Sequence, residues 1–202
     1  MALLAFMSPQ LILASLSASR KALLTGAGVR FSAMPSYVDE AALKAEFSGP
    51  PETLAIALAI AKATKISHLH EDALVIGGDQ LLVCEGKIYD KPRDMDEAAT
   101  QLRALAGREH VLISAVCLVQ KGQCLWSHTQ NAHLTMRRFS DEFLADYLLA
   151  EGDEILSCVG AYRLEGPGAQ LFERIEGDYF TVLGLPLLAL LEALRAQGVL
   201  AF

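Results

Sequence analysis

The sequence lacks the features of several large classes of protein. Its four cysteines, at positions 84, 117, 124 and 158, include no Cys-x-x-Cys pair, which argues against a disulfide framework and a cysteine-rich metal knot. No uncharged apolar run reaches the roughly 18 residues that a membrane-spanning helix needs, although hydrophobic residues make up 52% of the chain. We therefore expect reduced core cysteines and no membrane partner.

Positive charge is also scarce. Lys and Arg number 17 against 24 Asp and Glu, which gives a net charge of −7. This balance argues against broad binding of nucleic acid, which requires a basic surface. A small polyanion remains possible as a ligand, but its site would need clustered cations or a divalent metal.

The start of the chain has no positive residue before Arg20. A secretory signal begins with a positively charged region, so residues 1–19 favour a cytoplasmic protein despite their apolar character. A chain of 202 residues can bury a substantial core unaided. We expect residues 1–202 to form a single domain with two lobes around one cleft.

The central stretch is Leu74-Val75-Ile76-Gly77-Gly78-Asp79-Gln80. It predicts a buried strand that ends in two glycines and delivers Asp79 to the edge of a sheet, where ligands gather. Lys91, beyond a predicted hairpin, would return to the same rim. An acid and a cation together suit phosphate chemistry, whereas the ordinary alternative is a turn aspartate and a surface lysine.

Three further groups could join that site. A strand at 10–14 is followed by Ser15, Ser17 and Arg20 at a helix start, which predicts either an anion site or a plain helix cap. Glu40 closes a predicted second strand at 29–38 and could hold Mg²⁺ with Asp79. Lys62 lies on a predicted helix at 52–67, where a lysine is commonly solvated.

Strands and helices mix along the remaining chain, which favours an α/β or α+β sheet protein. Helices are predicted at 94–106, 140–150 and 187–196, with Asp94 and Ser140 as caps, and strands at 111–119 and 124–136. The glycine-rich stretch 159–168 is typical of a loop close to a ligand.

Eight motifs occur in order along nearly the whole chain: Leu-Ala-Ser15-Leu-Ser17-Ala-Ser-Arg20, Val38-Asp39-Glu40, Ala61-Lys62-Ala63, Gly78-Asp79-Gln80, Lys91-Pro92, Gly107-Arg-Glu-His110, Gly160-Ala-Tyr-Arg-Leu-Glu165-Gly and Gly177-Asp-Tyr…Gly184-Leu-Pro186. Taken together, these motifs resemble the Maf family of nucleoside triphosphate pyrophosphatases.

The resemblance implies a two-lobed α/β fold, a mixed sheet flanked by helices around a central cleft, as in inosine triphosphate pyrophosphatases. It implies a hydrolase of phosphoanhydride bonds that cleans the nucleotide pool. The substrate would be a nucleoside triphosphate, standard or modified, and the products its monophosphate and pyrophosphate. Mg²⁺ or Mn²⁺ would be the cofactor, and a homodimer is one expected assembly.

The resemblance also implies roles residue by residue. Asp79 matches the residue that accepts a proton. Glu40 matches a metal ligand, and Asp79 would share that role. Phosphate contacts fall on Ser15, Ser17, Arg20, Lys62 and Lys91, and the choice of base falls on Ser19, Gln80 and Glu165.

Departures from the family pattern affect the substrate. Many relatives carry Pro-Arg-Arg where this chain has Ala18-Ser19-Arg20, so one cation is missing. Gln80 and Glu165 resemble the 7-methylguanosine triphosphate branch, which usually has Trp in place of Ser19. A general or different nucleotide preference is therefore the first expectation, and 7-methyl-GTP is the alternative.

Two other functions stay open. An aspartyl-phosphate phosphatase would use Asp79 as the nucleophile, but it usually needs a second Asp where this chain has Leu81. A nucleotide-binding regulator of cell division with little catalysis would need the cations but not a poised carboxylate.

Overall fold

The computed structural model describes residues 10–201. The expectation about a secretory signal rests mainly on residues 1–9, which lie outside the described residues. The strands are β1 (Leu11–Leu13), β2 (Ser32–Ala33), β3 (Leu74–Cys84), β4 (Lys87–Tyr89), β5 (Glu109–Gln120), β6 (Gln123–Met136) and β7 (Phe172–Glu176). The helices are α1 (Ala18–Gly26), α2 (Glu40–Glu46), α3 (Pro51–Ser67), α4 (Met95–Leu105), α5 (Asp141–Glu151), α6 (Tyr179–Val182) and α7 (Leu187–Ala196), and 3-10 helices span Gly152–Ser157 and Pro167–Leu171.

The strands form one mixed sheet in the order β2-β1-β3-β5-β6-β7, with β4 paired to β3. β1 runs parallel to β2 and β3, whereas β4 and β7 run antiparallel to β3 and β6. The predicted α/β class, a mixed sheet flanked by helices, is confirmed. Within residues 10–201, no helix has the length and apolar character needed to cross a membrane.

The described chain divides into two compact units. The first takes in residues 10–79, 115–129 and 185–201, and the second residues 80–114 and 130–184. The single cleft predicted from the sequence stays a prediction.

In the first unit, α3 packs directly against β3. The apolar residues Ala55, Ala59 and Ala63 recur at every fourth position and are buried, so this segment forms a helix with a broad buried face. Gly77 makes the close approach possible, because a Cβ there would lie 2.1 Å from the carbonyl oxygen of Ala59. The missing side chain of Gly77 therefore sets the distance between helix and strand.

The second unit has its own apolar core. It is built from β4, α4 and α5 with the outer parts of the long strands, and its buried members include Leu82, Leu102, Leu105, Leu112 and Leu134. The predicted caps are confirmed: the Asp94 carboxylate accepts the N–H of Glu97 at 2.8 Å, and the Ser140 hydroxyl accepts the N–H of Phe143 at 3.2 Å.

Two strand predictions were wrong. The strand predicted at 29–38 is reduced to Ser32–Ala33, because Pro35 has no N–H to donate and Tyr37 adopts a left-handed conformation with φ 48°. β3 does not end at the glycines but continues through Asp79 to Cys84. Asp79 therefore lies in the middle of a strand, since the glycines serve close packing and do not terminate the strand.

The substitution Gly77→Ala tests the packing of α3 on β3. We expect it to lower the free energy of unfolding by about 3 kcal/mol, because the added carbon meets a backbone atom that no rotamer change can move. Urea denaturation measures this change.

Gly26→Ala at the end of α1 is the matched control, since a Cβ there meets nothing within 4 Å. Its stability should stay within about 1 kcal/mol of the wild type. Wild-type stability of Gly77→Ala would show that the helix does not press on this glycine.

Candidate active site

The site centres on one lysine between two carboxylates. Lys62 Nζ donates to Asp79 Oδ1 at 2.5 Å and lies 2.8 Å from Glu40 Oε1. The side chains of Lys62 and Asp79 are 10% and 7% exposed, and that of Glu40 is 43% exposed. One ammonium is thus shared by two carboxylates, of which Asp79 is buried and Glu40 reaches solvent.

Strand alternation explains why Lys62 meets Asp79. Gly77 and Asp79 are two residues apart in β3 and face the same side of the sheet. Gly77 admits α3 on that side, and Lys62 lies on the buried face of α3 between Ala59 and Ala63. The close packing of α3 at Gly77 therefore places Lys62 next to Asp79.

Glu40 comes from the first turn of α2, a helix that the sequence reading missed. The helix is only seven residues long and begins where the side chain of Asp39 accepts the N–H of Ala42 at 3.0 Å. This cap fixes the start of α2 and thereby places Glu40 toward Lys62.

The serine loop after β1 holds the second cation. Ser17 caps α1 by accepting the N–H of Arg20 at 3.4 Å, and Arg20 Nη1 donates to Ser15 Oγ at 3.3 Å. The hydroxyls of Ser17 and Ser19 lie 3.0 Å apart. The loop and the first turn of α1 therefore bring together three hydroxyls and a guanidinium at the N-terminus of a nine-residue helix, which is a favourable place for an anion.

The second glycine admits Arg20. A Cβ on Gly78 would lie 3.3 Å from Arg20 Nε, so the two adjacent glycines receive partners on opposite faces of β3. Burial lowers the pKa of Arg20, whereas the nearby charges of Asp79 and Glu40 raise it. A guanidinium stays protonated in proteins, so Arg20 contributes a fixed positive charge.

Sheet topology supports a ligand site at this position. In the sheet, β1 lies between β2 and β3. The connection from β1 leads to β2 on one side, and the next connection leads back to β3 on the other side, beyond which lies β5. Ligands of open α/β sheets bind beyond the carboxyl ends of strands at such a reversal of order. The serine loop follows β1 there, and Asp79 lies just past the last β1–β3 pair, Leu13 with Ile76.

In the second unit, the amide group of Gln80 has a fixed orientation. Its Nε2 lies 3.1 Å from Ser114 Oγ, 3.1 Å from the carbonyl oxygen of Thr181 and 3.0 Å from that of Val182. Two of these partners can only accept, so the NH₂ group must face them. The oxygen of Gln80 is therefore left to accept from another group.

The glycine-rich loop of the second unit is anchored at two points. His110 Nε2 and the hydroxyl of Tyr162 are 2.8 Å apart. Arg163 Nε lies 3.7 Å from Glu151 Oε2, and a Cβ on Gly166 would lie 2.7 Å from Glu151 Oε1. The loop thus wraps a buried carboxylate and holds an exposed Glu165.

The first unit brings together seven of the predicted site residues: Ser15, Ser17, Ser19, Arg20, Glu40, Lys62 and Asp79. Gln80, Lys91 and Glu165 lie in the second unit, and the approach of Lys91 to Asp79 stays a prediction. Glu151 was missed. Its spacing from Leu144 and Tyr147 in α5 could have placed it on the buried face of that helix.

A buried acid, lysine and arginine beside the parallel strands β1 and β3 define an α/β protein equipped for phosphate chemistry. The chain belongs to the Maf family, because that family's sequence model, described as Maf-like protein, matches residues 10–197.

Two similar proteins carry functional names. A "7-methyl-GTP pyrophosphatase" of Rhizobium meliloti (strain 1021) is 51% identical over 197 residues, covering 96% of this chain and 99% of that protein. A "Nucleoside triphosphate pyrophosphatase" of Granulibacter bethesdensis is 48% identical over 195 residues, covering 95% of this chain and 98% of that protein.

Among solved structures, a nucleoside-triphosphatase (dITP/XTP pyrophosphatase) of Mycobacterium abscessus covers 94% of this chain and 95% of its own. The TM-score is 0.43 and the sequence identity 16%.

The buried His110 makes stability depend on pH. Burial lowers its pKa from 6.5 to about 4, so the unfolded chain binds the extra proton first as pH falls. The contribution of His110 to the free energy of unfolding is therefore fully present above pH 6.5 and is lost as the pH falls toward 4. At pH 5 this one group has lowered the free energy of unfolding by about 2 kcal/mol. Urea denaturation at about pH 7.5 and about pH 5 measures the loss.

The variant His110→Gln isolates this effect, because glutamine does not titrate and can still bond the hydroxyl of Tyr162. Its stability should fall less than that of the wild type over the same pH interval. Equal losses in both proteins would show that His110 is not the group responsible.

Proposed function

We propose that this protein is a nucleoside triphosphate pyrophosphatase. It hydrolyses the bond between the α- and β-phosphates and releases a nucleoside monophosphate and pyrophosphate, which clears unwanted nucleotides from the pool. The observation that carries this proposal is the contact of Lys62 with both Asp79 and Glu40, beside the buried Arg20. Support also comes from membership of a family whose similar members are named as pyrophosphatases of this kind.

Asp79 accepts a proton from water as the water oxygen attacks the α-phosphorus. The bond from that phosphorus to the bridging oxygen breaks, and the electron pair leaves with pyrophosphate. Arg20, Lys62 and Lys91 stabilise the negative charge on the phosphates. Hydroxyls of Ser15 and Ser17 donate to phosphate oxygens and orient the chain of phosphates.

The carboxylates fit a divalent cation. Glu40 and Asp79 supply oxygen ligands, and Mg²⁺ commonly binds one or two carboxylates together with substrate phosphates. Within residues 10–201, no group of three or more His, Cys, Asp or Glu could hold a metal alone. When bound, Mg²⁺ or Mn²⁺ would supply Lewis-acid stabilisation of phosphate charge, and Glu40 and Asp79 would hold it.

The charges of the site support this need for a cation. Glu40 and Asp79 offset Lys62 and Arg20, so these four residues sum to no net charge. A triphosphate entering such a site needs further positive charge, which Lys91 and a metal would contribute.

A guanine-type substrate, with 7-methyl-GTP as one member, is the second candidate. The fixed amide of Gln80 presents an oxygen acceptor, and Glu165 presents a carboxylate. Two acceptors suit the neighbouring N1–H and N2–H₂ donors of guanine, whereas uracil and thymine offer a single N–H between two carbonyls.

The sequence alternatives are separated by their products. An aspartyl-phosphate phosphatase would release orthophosphate as the sole primary product. A regulator would bind a triphosphate in Mg²⁺ or Mn²⁺ without hydrolysis. A cytoplasmic location, a homodimer and the absence of nucleic-acid binding stay predictions from the sequence.

The substitution Asp79→Asn tests the proton acceptor. We expect pyrophosphate release to fall on the order of 10²–10⁴-fold, because an amide cannot take the proton from water. A coupled pyrophosphate assay measures the rate, and circular dichroism checks the fold.

Asp72→Asn serves as the matched control, since Asp72 is exposed and precedes the same strand. It should keep the wild-type rate. Near-wild-type turnover by Asp79→Asn would remove Asp79 from its role.

A panel of standard and modified nucleoside triphosphates, assayed for pyrophosphate in Mg²⁺ and Mn²⁺, tests the substrate. GTP or 7-methyl-GTP should exceed UTP and TTP in kcat/KM by about fivefold or more, because the half-buried oxygen of Gln80 would be left without a donor at a cost of about 1 kcal/mol. Faster turnover of UTP or TTP would contradict the guanine assignment. No pyrophosphate from any member of the panel would contradict the proposed function.

A further inference from the structure

The ammonium of Lys62 fills the space between the two carboxylates. Its Nζ is 2.5 Å from Asp79 and 2.8 Å from Glu40, and Lys62 is 8% exposed. The α3 backbone that carries Lys62 is held against β3 by the close contact at Gly77. This arrangement makes the lysine a built-in part of the acidic site.

A divalent cation bound to both carboxylates needs the same space. Ligand oxygens lie about 2.0–2.6 Å from Mg²⁺ or Ca²⁺, so such an ion would sit where the ammonium now sits. Two cations in a largely buried site repel each other strongly, because the effective dielectric constant is well below that of water. The ammonium of Lys62 and an ion held by the same two oxygen atoms, Asp79 Oδ1 and Glu40 Oε1, therefore exclude each other.

The lysine side chain can move if a new anion is offered. It is a flexible four-carbon chain with a compact charge, and the phosphates of a nucleotide are such an anion. Arg20, by contrast, is tied to Ser15 and packed against Gly78. Lys62 is thus the cation of this site that can exchange carboxylate partners for phosphate partners.

We propose that Lys62 is a tethered counterion that keeps Glu40 and Asp79 from binding a divalent metal until a nucleotide's phosphates receive the ammonium. This inference rests on the proposed function, because it assumes a triphosphate at this site. It predicts that the nucleotide-free protein binds metal weakly and that Lys62 couples metal binding to nucleotide binding.

Titration with Mn²⁺ alone, followed by electron paramagnetic resonance of the free ion, tests the inference. Lys62→Met removes the charge and keeps an unbranched side chain that is one atom shorter. It should bind Mn²⁺ at least about tenfold more tightly than the wild type, because loss of one positive charge a few ångströms away exceeds a tenfold effect at protein dielectric constants. Lys62→Arg, which keeps the charge, should bind as weakly as the wild type.

Lys65→Met is the matched control. Lys65 is exposed on the same helix and donates to the carbonyl oxygen of Tyr37. Its Mn²⁺ affinity should equal that of the wild type. Adding Asp79→Asn to Lys62→Met should abolish the gained binding, which would locate the ion at this site.

Equal Mn²⁺ affinities of the wild type and Lys62→Met would overturn the inference, as would gained binding that survives Asp79→Asn. If Lys62→Met fails to fold, the wild type decides: micromolar binding of Mn²⁺ alone overturns the inference, and weak or no binding supports it. Because no turnover is read, these results are separate from the pyrophosphate assay on which the proposed function depends.

Discussion

The contact of one lysine with two carboxylates is the constraint on which the site depends. Asp79 and Lys62 are buried, and a buried charge is tolerated only when it is paired. The pairing requires α3 to lie close to β3, and that closeness requires Gly77. Gly77, which has no side chain, thus makes possible the ion pair between Lys62 in α3 and Asp79, two positions further along β3.

The adjacent glycines explain how other parts of the chain can pack closely against both faces of β3. Gly77 receives the backbone of α3 and Gly78 receives the side chain of Arg20, so β3 is approached from both sides immediately before Asp79. Lys62 is positioned by α3, and Arg20 by the first turn of α1 after the serine loop. Their convergence follows from the strand order β2-β1-β3, which places the end of β1 beside β3.

Much of this arrangement could be predicted from the sequence. The run before Asp79 indicated a buried strand, the serines indicated a helix cap, and the helix at 52–67 was read from its periodicity. These are local signals, since each depends on residues a few positions apart. The identity of the acid and of the two cations followed from them and from the resemblance to the Maf family.

Other features depend on contacts that local patterns do not contain. Lys62 meets Glu40 across 22 positions and Asp79 across 17, and nothing near Lys62 distinguishes it from a solvated helix lysine. The continuation of β3 beyond the glycines reflects pairing with β4. Glu151 is buried by a loop that follows it in the chain, so only its position on the apolar face of α5 hinted at its burial.

A water molecule activated by Asp79 delivers its oxygen atom to one of the two products. Hydrolysis of a nucleoside triphosphate in ¹⁸O-water, with the products analysed by ³¹P nuclear magnetic resonance, follows that oxygen directly. Attack at the α-phosphorus places ¹⁸O in the nucleoside monophosphate and leaves the released pyrophosphate unlabelled. Label in the pyrophosphate, or orthophosphate as the first product, would contradict the chemistry assigned to Asp79 and its cations.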